Sequence, residues 1–119
     1  MPMTSHQNGK ELADISNEMV RIYKEQFGRG PTKVATLYAG SDILVSTLED
    51  SLTPAEQNMA ALGEHQRVRE GRLFFQHANE KAFVDAIEGA TGRSVRGFVS
   101  GTDTHRDISS EIFYLEPRG

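Results

Sequence analysis

The sequence predicts an α+β domain in which a helix-plus-hairpin unit occurs twice, in the order α-β-β-α-α-β-β. Three observations carry this. A Gly-Arg pair, Gly28-Arg29 and again Gly92-Arg93, closes a helical run and precedes two strand-like runs. Both copies end on the same dipeptide, Leu48-Glu49 and Leu115-Glu116. Between them, Thr53-Pro54-Ala55-Glu56 has the pattern of a helix start. Two such units joined about a pseudo-twofold axis give a four-stranded, mostly antiparallel sheet with helices on one face.

From about Lys10 to Phe27, the residues Leu12, Ile15, Met19, Ile22 and Phe27 recur at helical spacing, and Val20 and Tyr23 widen the stripe. This is an amphipathic helix. Gly28 suits the left-handed stop, and Pro31 prevents resumption. Lys33–Ala39 and Asp42–Glu49 are strand-like, and Gly40-Ser41 between them suits a two-residue type II′ turn. Their alternation is imperfect. A sheet covered on both faces would explain it, by its own helices on one side and another subunit on the other.

Thr53 as N-cap, Pro54 at the first helical position and Glu56 as the reciprocal cap begin the next helix, which should bury Met59 and Leu62 and pause at Gly63. From Glu64 to Ala90 a second stripe presents Val68, Phe75, Ala78, Ala82, Phe83, Ala86, Ile87 and Ala90. Unbroken, it would run about 40 Å and overhang the sheet. Glu64, Arg67, Arg69, Glu70 and Arg72 then form a wet face. Leu73 and Phe74 lie off the stripe with His77 beside them, either as incidental surface packing or as a subunit contact. Gly92 ends the helix, Ser94–Ser100 is the third strand, Gly101–Asp107 a polar loop, and Ile108–Leu115 the fourth strand. The expected organisation is a disordered N-terminus over residues 1–9 and one domain over residues 10–117.

The chain of 119 residues has 13 basic and 17 acidic side chains, a net charge of -4, without the positive excess that a phosphate backbone calls for. Nucleic acid is an unsuitable partner. The sequence has no cysteine, so disulfides, thiolate metal sites and thiol nucleophiles are excluded. It has no apolar run of bilayer-spanning length, and MPMTSHQNGK lacks the apolar core of a signal peptide. The expectation is a cytoplasmic protein with no direct membrane insertion, no cofactor and no metal.

Two segments invite a functional reading. Gly28-Arg29-Gly30-Pro31-Thr32-Lys33 is glycine-rich with two cations, but it leaves a helix and enters a strand, the reverse of a phosphate-binding loop. Arg29 and Lys33 either complement the end of the helix or, with Arg93 of the second copy, bind a small anion. Thr102–Asp107 gathers Asp103, His105, Arg106 and Asp107, residues of a solvated hairpin loop, of a ligand contact or of a hydrolase. His65 and His77 lie on a helix with nothing to direct them to this loop. The templates Gly-x-Ser-x-Gly, His-Glu-x-x-His and Gly-x-Gly-x-x-Gly are absent, which favours a non-catalytic module.

In ISNEMVRIYKEQFGRGPTKV, LTPAE, FVDAIEGATGRSVRGF and DISSEIFYLEP the chain resembles the bacterial family named after the MpsC component of a sodium-translocating, membrane-potential-generating system. The likeness covers about Ile15 to Pro117 and departs from the family pattern at Leu73-Phe74 and in GTDTHRD. It implies association with a membrane system concerned with ion gradients and inorganic carbon, and it brings no catalytic residues. The resulting expectation is a cytoplasmic accessory or regulatory module, a homodimer, peripheral to the inner membrane through a transport-protein partner. A small-anion sensor using the two Gly-Arg loops is the alternative.

Overall fold

A computed structural model describes residues 5–118; the expected frayed N-terminus falls in part on residues 1–4, which lie outside the described residues. Helix α1 spans Ser5–Phe27 and so begins before the Lys10 start that apolar spacing marks. It is followed by β1 (Lys33–Tyr38), β2 (Ile43–Glu49), α2 (Pro54–Ala61), α3 (His65–Ala78), α4 (Glu80–Thr91), β3 (Val95–Asp103) and β4 (Ile108–Leu115). The order is the expected α-β-β-α-α-β-β, with the second of its two middle helices divided into α3 and α4.

The strands form one sheet in the order β1-β2-β4-β3, and every neighbouring pair is antiparallel. The second strands of the two hairpins therefore meet in the middle, as two copies of one unit joined about a twofold would place them. The helices cover one face, with α1 over β1 and α3 and α4 over β3. Under them Ile15, Met19, Ile22 and Tyr23 of α1 and Phe83 and Ile87 of α4 pack on Leu44, Leu48, Phe113 and Leu115. Among the described residues no helix covers the opposite face. Sheet register aligns Leu37, Val45, Ile112 and Val99 across it as an apolar row, with Leu37 and Val99 exposed.

Four expectations are corrected. The β1–β2 connection is four residues, Ala39 to Asp42, rather than a two-residue turn, and Ala39 N–H donates to Ile43 O at its mouth. The long helix is two helices that meet at Asn79, whose side chain donates to Phe75 O and whose N–H also bonds there. Strand β3 runs three residues into the expected loop. Finally, Leu62 is 81% exposed, because α2 ends one residue earlier and turns away at Gly63.

Candidate functional site

Helix α3 faces the molecule with Val68, Arg72 and Gln76, three residues spaced four apart on one side. This reverses the sequence reading, in which Arg72 belonged to a wet face and Phe75 to the buried stripe. Arg72 is 1% exposed. Its Nε donates to Glu56 Oε2 at 2.7 Å and its Nη2 to Glu56 Oε1 at 2.6 Å and Ser51 O at 2.8 Å. Its Nη1 donates to Ser51 Oγ at 3.3 Å, and the guanidinium carbon lies 3.7 Å from the centre of the Phe27 ring. Such a flat, forked cation is satisfied by carboxylate edges and aromatic faces together.

Glu56 earns this role from the start of α2. Its Oε1 accepts Thr53 N–H at 2.8 Å while Thr53 Oγ1 accepts Glu56 N–H at 3.2 Å, closing the capping box. One carboxylate thus ties the first turn of α2 to α3. Burial alone would raise the Glu56 carboxyl, but the bonds from Arg72 and Thr53 hold it below its ordinary value.

One turn further along α3, Gln76 Nε2 donates to Glu111 Oε2, which also accepts the Tyr23 hydroxyl. Glu111 is fully buried at the centre of the sheet, between Ser46 and Ser100 in register. Thr36 completes the row on β1, and its Oγ1 bonds Ser46 Oγ at 2.9 Å and Ser16 Oγ at 2.8 Å. A polar belt therefore crosses all four strands beneath the helices. Burial pushes the Glu111 carboxyl up to about 7, against the opposing pull of Ser100, Tyr23 and Arg72. Burial and the neighbouring Glu111 also push the Tyr23 phenol well up, so it remains a proton donor.

Because α3 turns its polar residues inward, its apolar ones face out. Leu73 is 39%, Phe74 68% and Phe75 46% exposed. Phe74 meets Phe75 edge-on at 5.7 Å, Phe75 meets Phe27 at 5.9 Å, and Phe27 meets Tyr23 at 5.5 Å. Edge-to-face aromatic contacts therefore run from the exposed ridge to the core. His77, expected beside Leu73 and Phe74, is exposed on the same helix.

The two Gly-Arg arginines take up related positions at opposite ends of β2, so they do not converge on one ligand. Arg29 donates to Asp50 O and Leu52 O, each at 2.7 Å. Arg93 donates to Ser41 O at 2.8 Å, Glu116 O at 2.7 Å and the Asp42 carboxylate. Each pins a strand end beside its own helix stop. Lys33 is exposed, 3.8 Å from Glu49.

In the β3–β4 turn, Asp103 Oδ1 accepts the N–H groups of His105 and Arg106, and the bond from Arg106 leads in lowering its carboxyl. Asp107 instead turns inward to accept Ser51 N–H at 2.9 Å and Leu52 N–H at 3.1 Å. His105 stacks on His65 with ring centres 3.7 Å apart, and His65 Nδ1 bonds buried Thr104 Oγ1 at 2.8 Å. The expectation that nothing directs His65 to this loop is thus overturned: α3 begins against it. His77 lies three turns further along and does not join. Among the described residues no group of three or more His, Cys, Asp or Glu is placed to hold a metal ion.

The sequence reading missed Arg72, Gln76, Tyr23 and Glu111 as a set. One signal was available: Ser109 and Glu111 share the parity of Phe113 and Leu115, the buried side of β4. No helix among the described residues is long and apolar enough to cross a membrane. A family model described as Na+-translocating membrane potential-generating system (MpsC) matches residues 7–117. No curated protein and no solved structure matches the chain.

Proposed function

The chain belongs to the MpsC family, and from that premise we propose that it is a non-catalytic cytoplasmic accessory module that docks onto a membrane-embedded partner of an ion- or bicarbonate-transport system. The observation that carries the reading is the inverted helix α3, which buries Arg72 and Gln76 and leaves Leu73, Phe74 and Phe75 in water. Aromatic residues are enriched at the centres of protein–protein contacts, and this ridge presents three apolar side chains in a row. The anion-sensor and hydrolase readings have less support. The guanidinium groups of Arg29 and Arg93 already bond backbone carbonyls, and the carboxylates of Asp103 and Asp107 already bond backbone amides.

The test is recovery of membrane proteins on tagged chain from native membranes in mild detergent, comparing wild type with Phe74→Glu. Wild type should bring down subunits of an ion-transport system, and the variant should lose them by tenfold or more (about 1.4 kcal/mol or above) while melting at the same temperature. Recovery of the chain alone from wild type, or equal recovery with the variant, overturns the reading.

A second reading, homodimerisation, is favoured by a different observation: the row Leu37, Val45, Ile112 and Val99 on the uncovered sheet face. Sedimentation of wild type and Val99→Lys measures it directly. A monomer at all concentrations removes this reading and leaves the docking ridge untouched.

A further inference from the structure

Glu111 accepts two hydrogen bonds, both on Oε2; its Oε1 is buried and has no partner. The same is true of Gln76 Oε1 and Ser100 Oγ. Gln76 is bonded to the Glu111 carboxylate and Ser100 is its register partner on β3, so these three oxygens belong to neighbouring side chains. Ser100 lies close enough to favour the charged carboxylate, yet its Oγ makes no hydrogen bond of ordinary geometry. Gln76 and Ser100 also line a cavity of about 250 Å³ at the edge of the sheet, walled further by His77, Phe98 and Val99. The carboxylate thus sits one side chain in from that cavity.

The charges near it do not close locally. Arg72 is the buried cation closest along α3, but all its hydrogen bonds go to Glu56 and Ser51 and none to Glu111. Below about pH 7 a proton on Glu111 relieves the cost of burial; once the carboxylate is ionised with no directly bonded cation, the orphaned oxygens around it are acceptors for a cation. Three oxygens of carboxylate, amide and hydroxyl type suit a hard cation. With Arg72 paired to Glu56, the single ionised carboxylate of Glu111 balances one positive charge and not two.

We propose that Glu111 Oε1, Gln76 Oε1 and Ser100 Oγ bind a small monovalent cation of the alkali class, admitted through the cavity between α3 and β3. The site is separate from the docking ridge and does not rest on the docking reading. Protons compete for the same carboxylate. The groups facing it are Tyr23 from α1, Gln76 and Arg72 from α3, Ser46 from β2 and Ser100 from β3, and of these only Tyr23 and Arg72 are titratable.

The test uses the isolated full chain at mildly alkaline pH, with the carboxylate ionised and no partner present. Thermal unfolding is followed in sodium, potassium and N-methylglucamine chlorides at matched ionic strength. A ligand that binds only the folded state raises the midpoint with its concentration. The expected result is a midpoint several degrees higher in at least one alkali salt than in N-methylglucamine chloride, with that difference lost in Glu111→Gln and reduced in Ser100→Ala. Should Glu111→Gln fail to fold, Ser100→Ala answers alone, since it removes one oxygen and no buried charge. Equal midpoints in all three salts overturn the proposal, because water then suffices for the three oxygens. So does an alkali-specific difference that survives unchanged in every variant that folds, because the cation is then bound elsewhere.

Discussion

Replacing Arg72 by methionine tests whether α3 is held inward by its polar face. Methionine keeps the apolar contact with Phe27 but removes both bonds to Glu56 and both to Ser51. Ser51 is fully buried, and leaving its carbonyl and hydroxyl unpaired costs about 1–3 kcal/mol. Glu56 is less exposed to harm, since it is partly solvated and keeps the Thr53 amide. Breaking a fully buried ion pair costs roughly 3–5 kcal/mol, so one whose carboxylate is 18% exposed belongs at the lower end, about 3 kcal/mol in total. With a urea slope of about 2 kcal/mol per molar, the unfolding midpoint should fall by ~1.5 M at neutral pH without a change in slope. Arg72→Lys, which keeps the charge but loses the fork, should fall between the two. A solvated Arg72 would give a change within about 0.5 kcal/mol, and that result for the methionine variant would refute the inward orientation of α3.

Three further outcomes are expected. Glu111 has an ordinary value of 4.5 raised to about 7 by burial, so the folded state holds the proton more tightly. Its stabilising contribution is complete below 4.5 and is lost as pH rises to about 7; Glu56, whose carboxyl is lowered, contributes in the opposite sense and loses its share only as pH falls into the acid range. Urea midpoints in alkali-free buffer should therefore decline across that window in wild type and stay flatter in Glu111→Gln, and parallel profiles would contradict the assignment. At the stop of α4, Gly92 has φ of 69° with open space where a Cβ would stand, so Gly92→Ala should cost about 1 kcal/mol through backbone strain alone. Gly71 is helical with equally open surroundings, so Gly71→Ala should stabilise by a similar amount, and calorimetry showing both changes with one sign would refute the distinction.

What the sequence disclosed follows the range of the interactions. Glycine stops at Gly28 and Gly92 and the capping box at Thr53 act within a few residues, so class, element order and the paired hairpins were legible. The orientation of α3 was not. Arg72 is held by groups 16 and 21 residues away and Gln76 by Glu111 at 35, so local hydropathy assigned Arg72 to water and did not single out Gln76. Once they turn inward, the adjacent Leu73, Phe74 and Phe75 must turn outward. For the same reason Arg29 and Arg93, legible as a repeated pair, were not legible as strand-end pins, because their acceptors are backbone carbonyls that carry no residue signature.

The belt from Ser16 to Ser100 also separates two kinds of adhesion. Helices α1 and α4 hold mainly by oily surface, which resists opening in any direction. Helix α3 holds through Val68 and a short set of directional bonds from Arg72 and Gln76, which let go together once their geometry is disturbed. Amide hydrogens along α3 should consequently exchange with solvent deuterium as one early block, well ahead of those in α1, making this helix the latch of the molecule and the rest its frame.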